Sequence, residues 1–276
     1  RGARLGRLVS ATAFDALAAG YDAEFSHSPL GRLLRPRVWR RLAGYFGPGD
    51  HLLELACGTG EDGLWLARRG VRVSATDSSA GMLAQARAKA QAAGLDERIR
   101  LRQLSLQEAA AGGLAGAEAP FDGALSNFGG LNTLGEWRPL AAALAAVVRP
   151  GGVAVLVPMG PICPWEIAWN LGHLRPRAAL RRWRRPATAR IGAAEIPVWY
   201  PAAGRLRRDF GPWFRHLSTE SLGLWLPPTH LAGPVVRRPA LLALLDWLDR
   251  ACGRLAAGWG DHYILALERR PDETRP

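Results

Sequence analysis

The stretch His51 to Ser79, HLLELACGTGEDGLWLARRGVRVSATDSS, has the pattern of one β-α-β unit. It opens with an apolar run, His51 to Leu55, that is short enough for a buried strand and is followed by a loop of small residues. Apolar residues then recur at helical spacing up to Gly70, and glycine is common just past the end of a helix. Val71 to Ala75 forms a second predicted strand, and Asp77 stands at its end. The sequence therefore predicts two parallel strands joined by a helix, with a glycine turn after the first strand.

The glycine turn and the acid beyond it together predict a nucleoside ligand. Glycine lets a ligand approach the backbone closely, and the following helix points unpaired N–H groups at that ligand. Asp77, at the end of the next strand, can accept hydrogen bonds from ribose hydroxyls. Gly58 to Gly63 also matches G-x-G-x-x-G, the pattern of dinucleotide enzymes, but the carboxylate of Glu54 would face a pyrophosphate unfavourably. Glu54 suits an ammonium group instead, and S-adenosylmethionine carries an ammonium, a sulfonium and no phosphate.

Residues Glu54 to Gly60, E-L-A-C-G-T-G, resemble motif I of the class I S-adenosylmethionine-dependent methyltransferases, usually written (D/E)-x-G-x-G-x-G. Ala56 stands where the first glycine is commonest, and small-molecule members such as the ubiquinone/menaquinone-biosynthesis group are similar there. Further landmarks follow in the family's order: D-S-S-A-G-M-L from Asp77, F-D-x-x-x-S-N-F from Phe121, and the R-P-G-G turn from Arg149. This set of landmarks is not expected of a nicotinamide-dependent enzyme.

The resemblance implies a cofactor site along the carboxyl ends of the strands. Ser78 and Met82 would lie beside the ribose and the adenine. Relatives often end strand three in Gly-Asp-Ala, whose aspartate binds the adenine amine, but this chain has Leu104 to Leu106 there. Adenine recognition is therefore expected to use Ser105, backbone groups or Gln107. The predicted cofactor-binding residues are Tyr21, Glu54, Ala56, Cys57, Gly58, Gly60, Asp77, Ser78, Met82, Ser105, Leu106 and Asn127.

Two segments ahead of the first strand are expected to form a helical lid over the cofactor. Ala13 to Phe25 carries the A-F-D-x-L-A-x-x-Y-D pattern common at the start of small-molecule methyltransferases, in which the tyrosine often reaches the methionine end of the cofactor. Tyr21 either takes that role or packs as a plain aromatic side chain. Arg32 to Leu42 reads as a second helix or helix pair, broken near Pro36, whose arginines are candidate partners of the cofactor carboxylate.

The resemblance implies an α/β fold: a doubly wound, seven-stranded, mostly parallel sheet in the order 3-2-1-4-5-7-6, with helices on both faces. The remaining strands are predicted at Ile99 to Leu106, Phe121 to Asn127, Val153 to Val157, Leu217 to Leu226 and, antiparallel, Asp261 to Glu268. Later helices are predicted at Ala80 to Ala93, Leu134 to Val148, Leu206 to Phe214 and Leu241 to Leu248. The expected divisions are an N-terminal lid (1–45), a cofactor-binding core (46–160), a substrate-pocket insertion (161–204) and a completion of the sheet (205–276).

The chain has 276 residues and a formal net charge of +12, carried almost wholly by arginine because Lys89 is the one lysine. Six arginines fall between Arg175 and Arg185, and they allow three interpretations: a solvated face, a mouth for an anionic substrate, or a nucleic-acid or membrane patch. No RNA-binding module is recognisable, and three scattered cysteines without C-x-x-C support neither disulfides nor a metal site. No apolar run approaches the roughly 18 residues of a spanning helix, and residues 1–14 lack a signal-peptide core, so a cytoplasmic enzyme is expected.

The predicted function is transfer of a methyl group from S-adenosylmethionine to O, N or C of a small hydrophobic or anionic metabolite. Eight of eleven tryptophans follow Gly160, which favours an aromatic acceptor pocket. Proximity and orientation drive such a reaction, and a base is optional. The candidate bases are Glu166, His173, Tyr200, His216, His230 and His262. Three alternatives stay open: an RNA or protein methyltransferase, a NAD-dependent oxidoreductase, and a non-catalytic binding protein with the same fold.

Overall fold

Nine strands form a seven-stranded central sheet and a separate hairpin in the computed structural model, which describes residues 13–184, 186–192, 194–253 and 255–272. The strands are β1 (His51–Leu55), β2 (Arg72–Asp77), β3 (Ile99–Gln103), β4 (Phe121–Ser126), β5 (Val148–Leu156), β6 (Ala187–Ile191), β7 (Ala194–Val198), β8 (Phe214–Leu222) and β9 (His262–Arg269). The central sheet has the order β3-β2-β1-β4-β5-β9-β8, and β6 pairs with β7. When the hairpin strands are left out of the count, this is the predicted order.

Strand direction also confirms the predicted fold class. β1 pairs in parallel with β2 and β4, and β4 pairs in parallel with β5. β9 runs antiparallel to both β5 and β8, so it is the reversed strand of the sheet. The carboxyl ends of the parallel strands therefore meet at one edge, which is where open α/β sheets bind ligands.

Helices cover both faces of this sheet. The longer ones are α1 (Pro29–Ala43), α2 (Glu61–Arg68), α3 (Ala80–Ala92), α4 (Arg138–Val147), α5 (Pro164–Gly172), α6 (Ala203–Phe210) and α7 (Pro239–Cys252). Leu52 and Leu53 are adjacent in β1 yet lie in different apolar clusters, because successive side chains of a strand point to opposite faces. One cluster packs α4 and α6 on the sheet, and the other packs α1 and α7 on it. None of the helices in the described ranges combines the length and the apolar character needed to cross a membrane.

The lid helix α1 is continuous through Pro36, where the sequence predicts a break. Ser28 caps its start by accepting a hydrogen bond from the N–H of Gly31 at 3.0 Å. Its buried residues are Leu30, Leu34, Val38 and Leu42, which pack on the sheet at a spacing of one helical turn. Burial of such side chains stabilises by about 1.5–3 kcal/mol each, which together exceeds the ~3 kcal/mol that an interior proline costs.

Helix α6 and strand β8 each begin and end a few residues earlier in the chain than the sequence predicts. The helix ends at Phe210 rather than at Phe214, because Pro212 follows and proline cannot continue a helix. Phe214 is fully buried and begins β8 instead. The strand ends at Leu222 rather than Leu226, since the next residue is a glycine with a φ of 77°.

Candidate cofactor and acceptor site

The loop after β1 turns sharply through residues in the left-handed conformation. Ala56, Gly58 and Gly60 have φ values of 53°, 56° and 80°. A Cβ at Gly60 would lie 2.9 Å from the Cβ of Ala86, so glycine is required where α2 and α3 pack closely. A Cβ at Gly58 would meet nothing within 4 Å, so the loop faces open space there. The left-handed conformation of Ala56 costs an L-residue about 1–2 kcal/mol. This cost explains why motif I usually has a glycine at this position.

Glu54, near the end of β1, is a buried carboxylate with an unmatched oxygen. Its Oε2 has no hydrogen-bond partner in the described part of the chain. Burial raises the pKa of Glu54 well above its ordinary value, and the carboxylates of Asp62 and Asp77 raise it further while Arg35 opposes them. A Cβ at Gly63 would lie 2.7 Å from Oε2, so glycine leaves the room that this carboxylate occupies. The position favours a cationic partner for Glu54.

Asp62, in the first turn of α2, joins three elements. Its carboxylate accepts hydrogen bonds from Nε1 of Trp39 at 2.7 Å, from Arg35 at 2.7 Å and from Nδ2 of Asn127 at 2.8 Å. Trp39 and Arg35 lie on the lid helix α1, and Asn127 directly follows β4. The network therefore holds the lid helix against the carboxyl edge of the sheet.

Arg35 is the lid arginine that enters this network. Its guanidinium carbon lies 4.9 Å from the centroid of the Phe128 ring, and its Nε is buried without a partner among the described residues. Burial opposes the charge, but Asp62 holds the pKa of Arg35 above its ordinary value, so the group stays cationic. Helical spacing does not show which lid arginine reaches the sheet, so the sequence leaves that choice open. A role for Asp62 was also not predicted from the sequence. Its acidic side chain at a position where the helical pattern of α2 places buried residues could have indicated one.

Asp77 ends β2 with its carboxylate held between the glycine loop and α3. It accepts hydrogen bonds from the backbone N–H groups of Gly58 and Ser79, each at 2.9 Å. Burial raises the pKa of Asp77, and these N–H groups oppose the rise. Ser78 is half-buried, and Met82 is buried in the first turn of α3. The residues predicted to meet the ribose and the adenine therefore lie together.

Carboxylates tie the segment before α1 to the core. Asp15 accepts a hydrogen bond from Oγ of Ser79 at 2.5 Å. Asp22 accepts hydrogen bonds from Oγ1 of Thr59 at 2.6 Å and from Nζ of Lys89 at 2.7 Å. Burial opposes the charge of Asp22, but these hydrogen bonds hold its pKa below the ordinary value. Asp22 is thus anchored to the glycine loop by Thr59 and to α3 by Lys89.

Tyr21 and Cys57 border the glycine loop as neutral side chains. The Tyr21 ring is half-buried with its centroid 4.9 Å from that of Phe25, and burial raises the pKa of its hydroxyl. Burial also raises the pKa of the Cys57 thiol, and Glu54 raises it further, which excludes a reactive thiolate. The described residues contain no group of three or more His, Cys, Asp or Glu side chains able to hold a metal ion.

The side chains that follow β3 form hydrogen bonds and apolar contacts with other residues of the chain. Ser105 caps the helical turn Leu106–Glu108, so β3 ends at Gln103 rather than continuing to Leu106 as the sequence predicts. Oγ of Ser105 accepts from the Glu108 backbone N–H at 3.2 Å, and the Glu108 carboxylate accepts from the Ser105 backbone N–H at 2.9 Å, which completes a capping box. Oγ of Ser105 also donates to that carboxylate at 2.7 Å. Leu106 is buried in an apolar cluster, and Nε2 of Gln107 donates to a backbone carbonyl at 3.0 Å. The hydroxyl of Ser105 therefore already has a partner.

Phe128 and His262 form an aromatic corner beside the end of β4. Their rings meet edge to face with centroids 5.3 Å apart. Phe128 has a φ of 43°, and its N–H donates to Oδ1 of Asn127 at 2.9 Å. Nδ1 of His262 lies 3.2 Å from Oδ2 of Asp261. Of the six candidate bases, His262 is the one whose ring packs on the residues that follow β4.

The arginine-rich segment is partly neutralised where it meets the sheet. Arg182 is buried and donates to Oε2 of Glu166 at 2.5 Å and to Oδ1 of Asp261 at 2.6 Å. Arg181 pairs with the other oxygen of Glu166. Burial opposes the charge of Asp261, but His262 and Arg182 hold its pKa well below the ordinary value. These two arginines are therefore ion-paired with buried acids and do not belong to a solvated face.

Known proteins resemble this chain in sequence and in fold. Residues 52–152 match a family model described as a methyltransferase domain. A demethylmenaquinone methyltransferase of Mycobacterium sp. (strain KMS) is 34% identical over 211 residues, which are 72% of this chain and 82% of that protein. A structure from work on the conversion of a disulfide bond into a thioacetal group during echinomycin biosynthesis is 23% identical, with a TM-score of 0.52 over 87% of this chain and 82% of that one.

A second solved structure shares the fold. It is a geranyl diphosphate C-methyltransferase from Streptomyces coelicolor A3(2) in complex with geranyl-S-thiolodiphosphate and S-adenosyl-L-homocysteine. It is 16% identical, with a TM-score of 0.55 over 88% of this chain and 78% of that one. Together with the glycine loop and the sheet order, the sequence matches show that the chain belongs to the class I methyltransferases, which use S-adenosylmethionine as their methyl donor.

Proposed function

We propose that the chain methylates a small hydrophobic acceptor that carries a ring and a hydroxyl group, such as a reduced quinone. The observation that carries this proposal is the aromatic corner of Phe128 and His262 at the end of β4. The cations nearest to it, Arg35 and Arg182, both lie in ion pairs with buried carboxylates. An anionic acceptor would need a cation that these carboxylates do not already match, so a neutral ring fits better.

The residues at the glycine loop fit a zwitterionic cofactor. Three carboxylates, those of Glu54, Asp62 and Asp77, are buried at this site, and Asp62 is paired with Arg35. The other two carboxylates would suit the ammonium and the ribose hydroxyls of the cofactor. Oε2 of Glu54 and Nε of Arg35 lack partners among the described residues, and they fit the ammonium and the carboxylate of the methionine end. Asp77 fits the ribose hydroxyls. The other proposed contacts are those of Tyr21, Ala56, Cys57, Gly58, Gly60, Ser78, Met82, Ser105, Leu106 and Asn127.

The chain's own part in the reaction is to position the acceptor and to take its proton. When bound, S-adenosylmethionine supplies an electrophilic methyl group on a sulfonium sulfur. Phe128 would pack on the acceptor ring and orient it, and Nε2 of His262 would take the hydroxyl proton. Asp261 stabilises the imidazolium that results. The cofactor would supply the methyl group and its sulfur would keep the electron pair of the carbon–sulfur bond, while His262 would hold the proton that the acceptor loses.

The mycobacterial relative supports the acceptor class, because it is named for demethylmenaquinone, a prenylated quinone. The test is transfer of a radiolabelled methyl group to a prenylated naphthohydroquinone, with geranyl diphosphate as the anionic comparison. We expect label in the hydroquinone and none in the diphosphate. Label in the diphosphate alone, or in neither compound while S-adenosylhomocysteine still binds, would overturn the proposed acceptor class.

A further inference from the structure

Exposed tryptophans gather where the chain leaves β5. Nε1 of Trp183 donates to the carbonyl of Pro161 at 3.1 Å, and Nε1 of Trp165 donates to the carbonyl of Trp225 at 2.6 Å. Trp169 lies about one turn beyond Trp165 on α5. Trp169, Trp183 and Trp225 are all exposed, Trp183 by 56%. These hydrogen bonds attach Trp183 and Trp225 to the segment 161–165, which leads into the helix that carries Trp169.

The apolar surface continues past α5. Leu171 is exposed, and Leu174 is 90% exposed with a φ of 55°. A leucine in the left-handed conformation is strained, and an exposed leucine adds nothing to the core, so neither folding nor solubility explains Leu174. Trp259 is also exposed, and its neighbour Gly260 donates its N–H to the carbonyl of Ile162 at 2.9 Å, which brings this part of the backbone beside the start of the same segment. We name these residues the aromatic face: Trp169, Leu171, Leu174, Trp183, Trp225 and Trp259.

The charge around the aromatic face is positive and unbalanced. Arg175, Arg177 and Arg184 are exposed, and none of them forms an ion pair with another described residue. Glu166 is the one acid in residues 160–184, and it is buried in ion pairs. Exposed indole rings, leucines and arginines on one surface are the composition of segments that bind the membrane interface.

We propose that the aromatic face docks the protein on an anionic lipid bilayer. The indole rings and leucines would enter the interfacial region, and the arginines would meet the anionic headgroups. The absence of an exposed acid in residues 160–184 supplies the charge complementarity for such a surface. This inference concerns where the enzyme works, and it does not depend on the identity of the acceptor.

The test is co-sedimentation of the full chain with vesicles of phosphatidylcholine, either pure or mixed 3:1 with phosphatidylglycerol. We expect binding to the mixed vesicles that weakens with added salt, and little binding to the pure ones. Arg175→Glu with Arg177→Glu should weaken binding about tenfold or more. The matched control, Arg98→Glu with Arg102→Glu, makes the same charge change beside β3 at the opposite edge of the sheet, and it should change binding less than about twofold.

A second variant separates apolar insertion from charge. Leu171→Ser with Leu174→Asn should weaken vesicle binding about threefold or more, since asparagine also tolerates a positive φ. Both pairs of substitutions are exposed, so the affinity for S-adenosylhomocysteine should match that of the unchanged chain, and the thermal unfolding midpoint should not fall. Failure to bind the mixed vesicles, equal loss in the charge control, or binding that neither pair weakens would overturn the proposal. Capture by an acidic protein without vesicle binding would overturn it as well.

Discussion

The carboxylates at the glycine loop and the arginines after β5 carry opposite excess charge within one chain. Glu54, Asp62 and Asp77 are buried near the glycine loop, where Asp62 pairs with Arg35, whereas residues 160–184 contain five arginines and one acid. The net charge of +12 describes neither region. Within the arginine segment, Arg182 is neutralised and buried, while its neighbours near the aromatic face are not. The difference teaches that pairing at contact distance, and not the sum of charges, determines what each region can bind.

The largest expected effect tests whether the acceptor lies at the aromatic corner. His262→Gln should lower kcat by roughly 100- to 10,000-fold, because removal of a general base typically has an effect of that size. The KM for S-adenosylmethionine should stay within about twofold, and added imidazole should restore part of the rate. Initial rates with saturating cofactor provide the measurement.

His216→Gln is the matched control for that variant. His216 hydrogen-bonds to Thr219 within β8 at 2.9 Å and has no place in the proposed site. It should keep the rate of the unchanged chain. Equal rates in both variants would place the acceptor elsewhere.

The next effect concerns the arginine segment. Arg182→Met leaves Glu166 and Asp261 buried with fewer partners, which should lower the free energy of unfolding by about 3–5 kcal/mol. Arg184→Met, at an exposed arginine two residues away, should change it by less than about 0.5 kcal/mol. Urea unfolding measures both values. Similar values for the two variants would show that Arg182 does not hold the segment to the sheet.

A smaller effect concerns the pH dependence of stability. Folding raises the pKa of Glu54, so the folded chain binds its proton more tightly than the unfolded chain does. This group therefore lowers stability as pH rises from the unfolded pKa to the folded pKa, and the loss is complete above the folded value. Glu54→Gln removes that loss, so the ligand-free variant should exceed the unchanged chain in stability by a margin that grows with pH. Unfolding at several pH values checks this, and a margin that does not grow with pH would show that folding leaves the proton affinity of Glu54 unchanged.

The smallest effect concerns the backbone of the glycine loop. Ala56→Gly should raise the free energy of unfolding by about 0.5–1 kcal/mol, because relief of left-handed strain exceeds the entropy that glycine loses. Ala88→Gly, at an exposed position within α3, should lower it by about 0.5–1 kcal/mol. Thermal unfolding distinguishes the two signs. A loss of stability in both variants would show that Ala56 is not strained.

These regions also differ in how far the sequence predicts them. Glu54, the loop glycines and Asp77 belong to one β-α-β unit, so local pattern and motif resemblance suffice to place them on the structure. The ion pair of Arg35 with Asp62 joins residues far apart in the chain, and so does the ring contact of Phe128 with His262. Such contacts depend on how helices and strands pack, which periodicity does not encode.

The segment after β5 is the least predictable part. Its basic composition is compatible with solvation, substrate binding or a membrane patch, and the structure separates the buried Arg182 from the exposed arginines. The sequence does not predict the hairpin of β6 and β7 in this segment. Its strands pair with each other rather than with the central sheet, so the family's strand order does not include them.

The most direct test of the central claim is calorimetric titration of S-adenosylhomocysteine and, in parallel, 5′-methylthioadenosine, which lacks the amino-acid end. Glu54→Gln should weaken S-adenosylhomocysteine by roughly 10- to 150-fold, because a hydrogen bond to a charged group contributes about 1.5–3 kcal/mol, and it should leave methylthioadenosine within about twofold. Asp77→Ala should weaken both ligands, since both carry the ribose. If Glu54→Gln binds both ligands as the unchanged chain does, or weakens both equally, the carboxylate does not hold the ammonium and the account of this site is wrong.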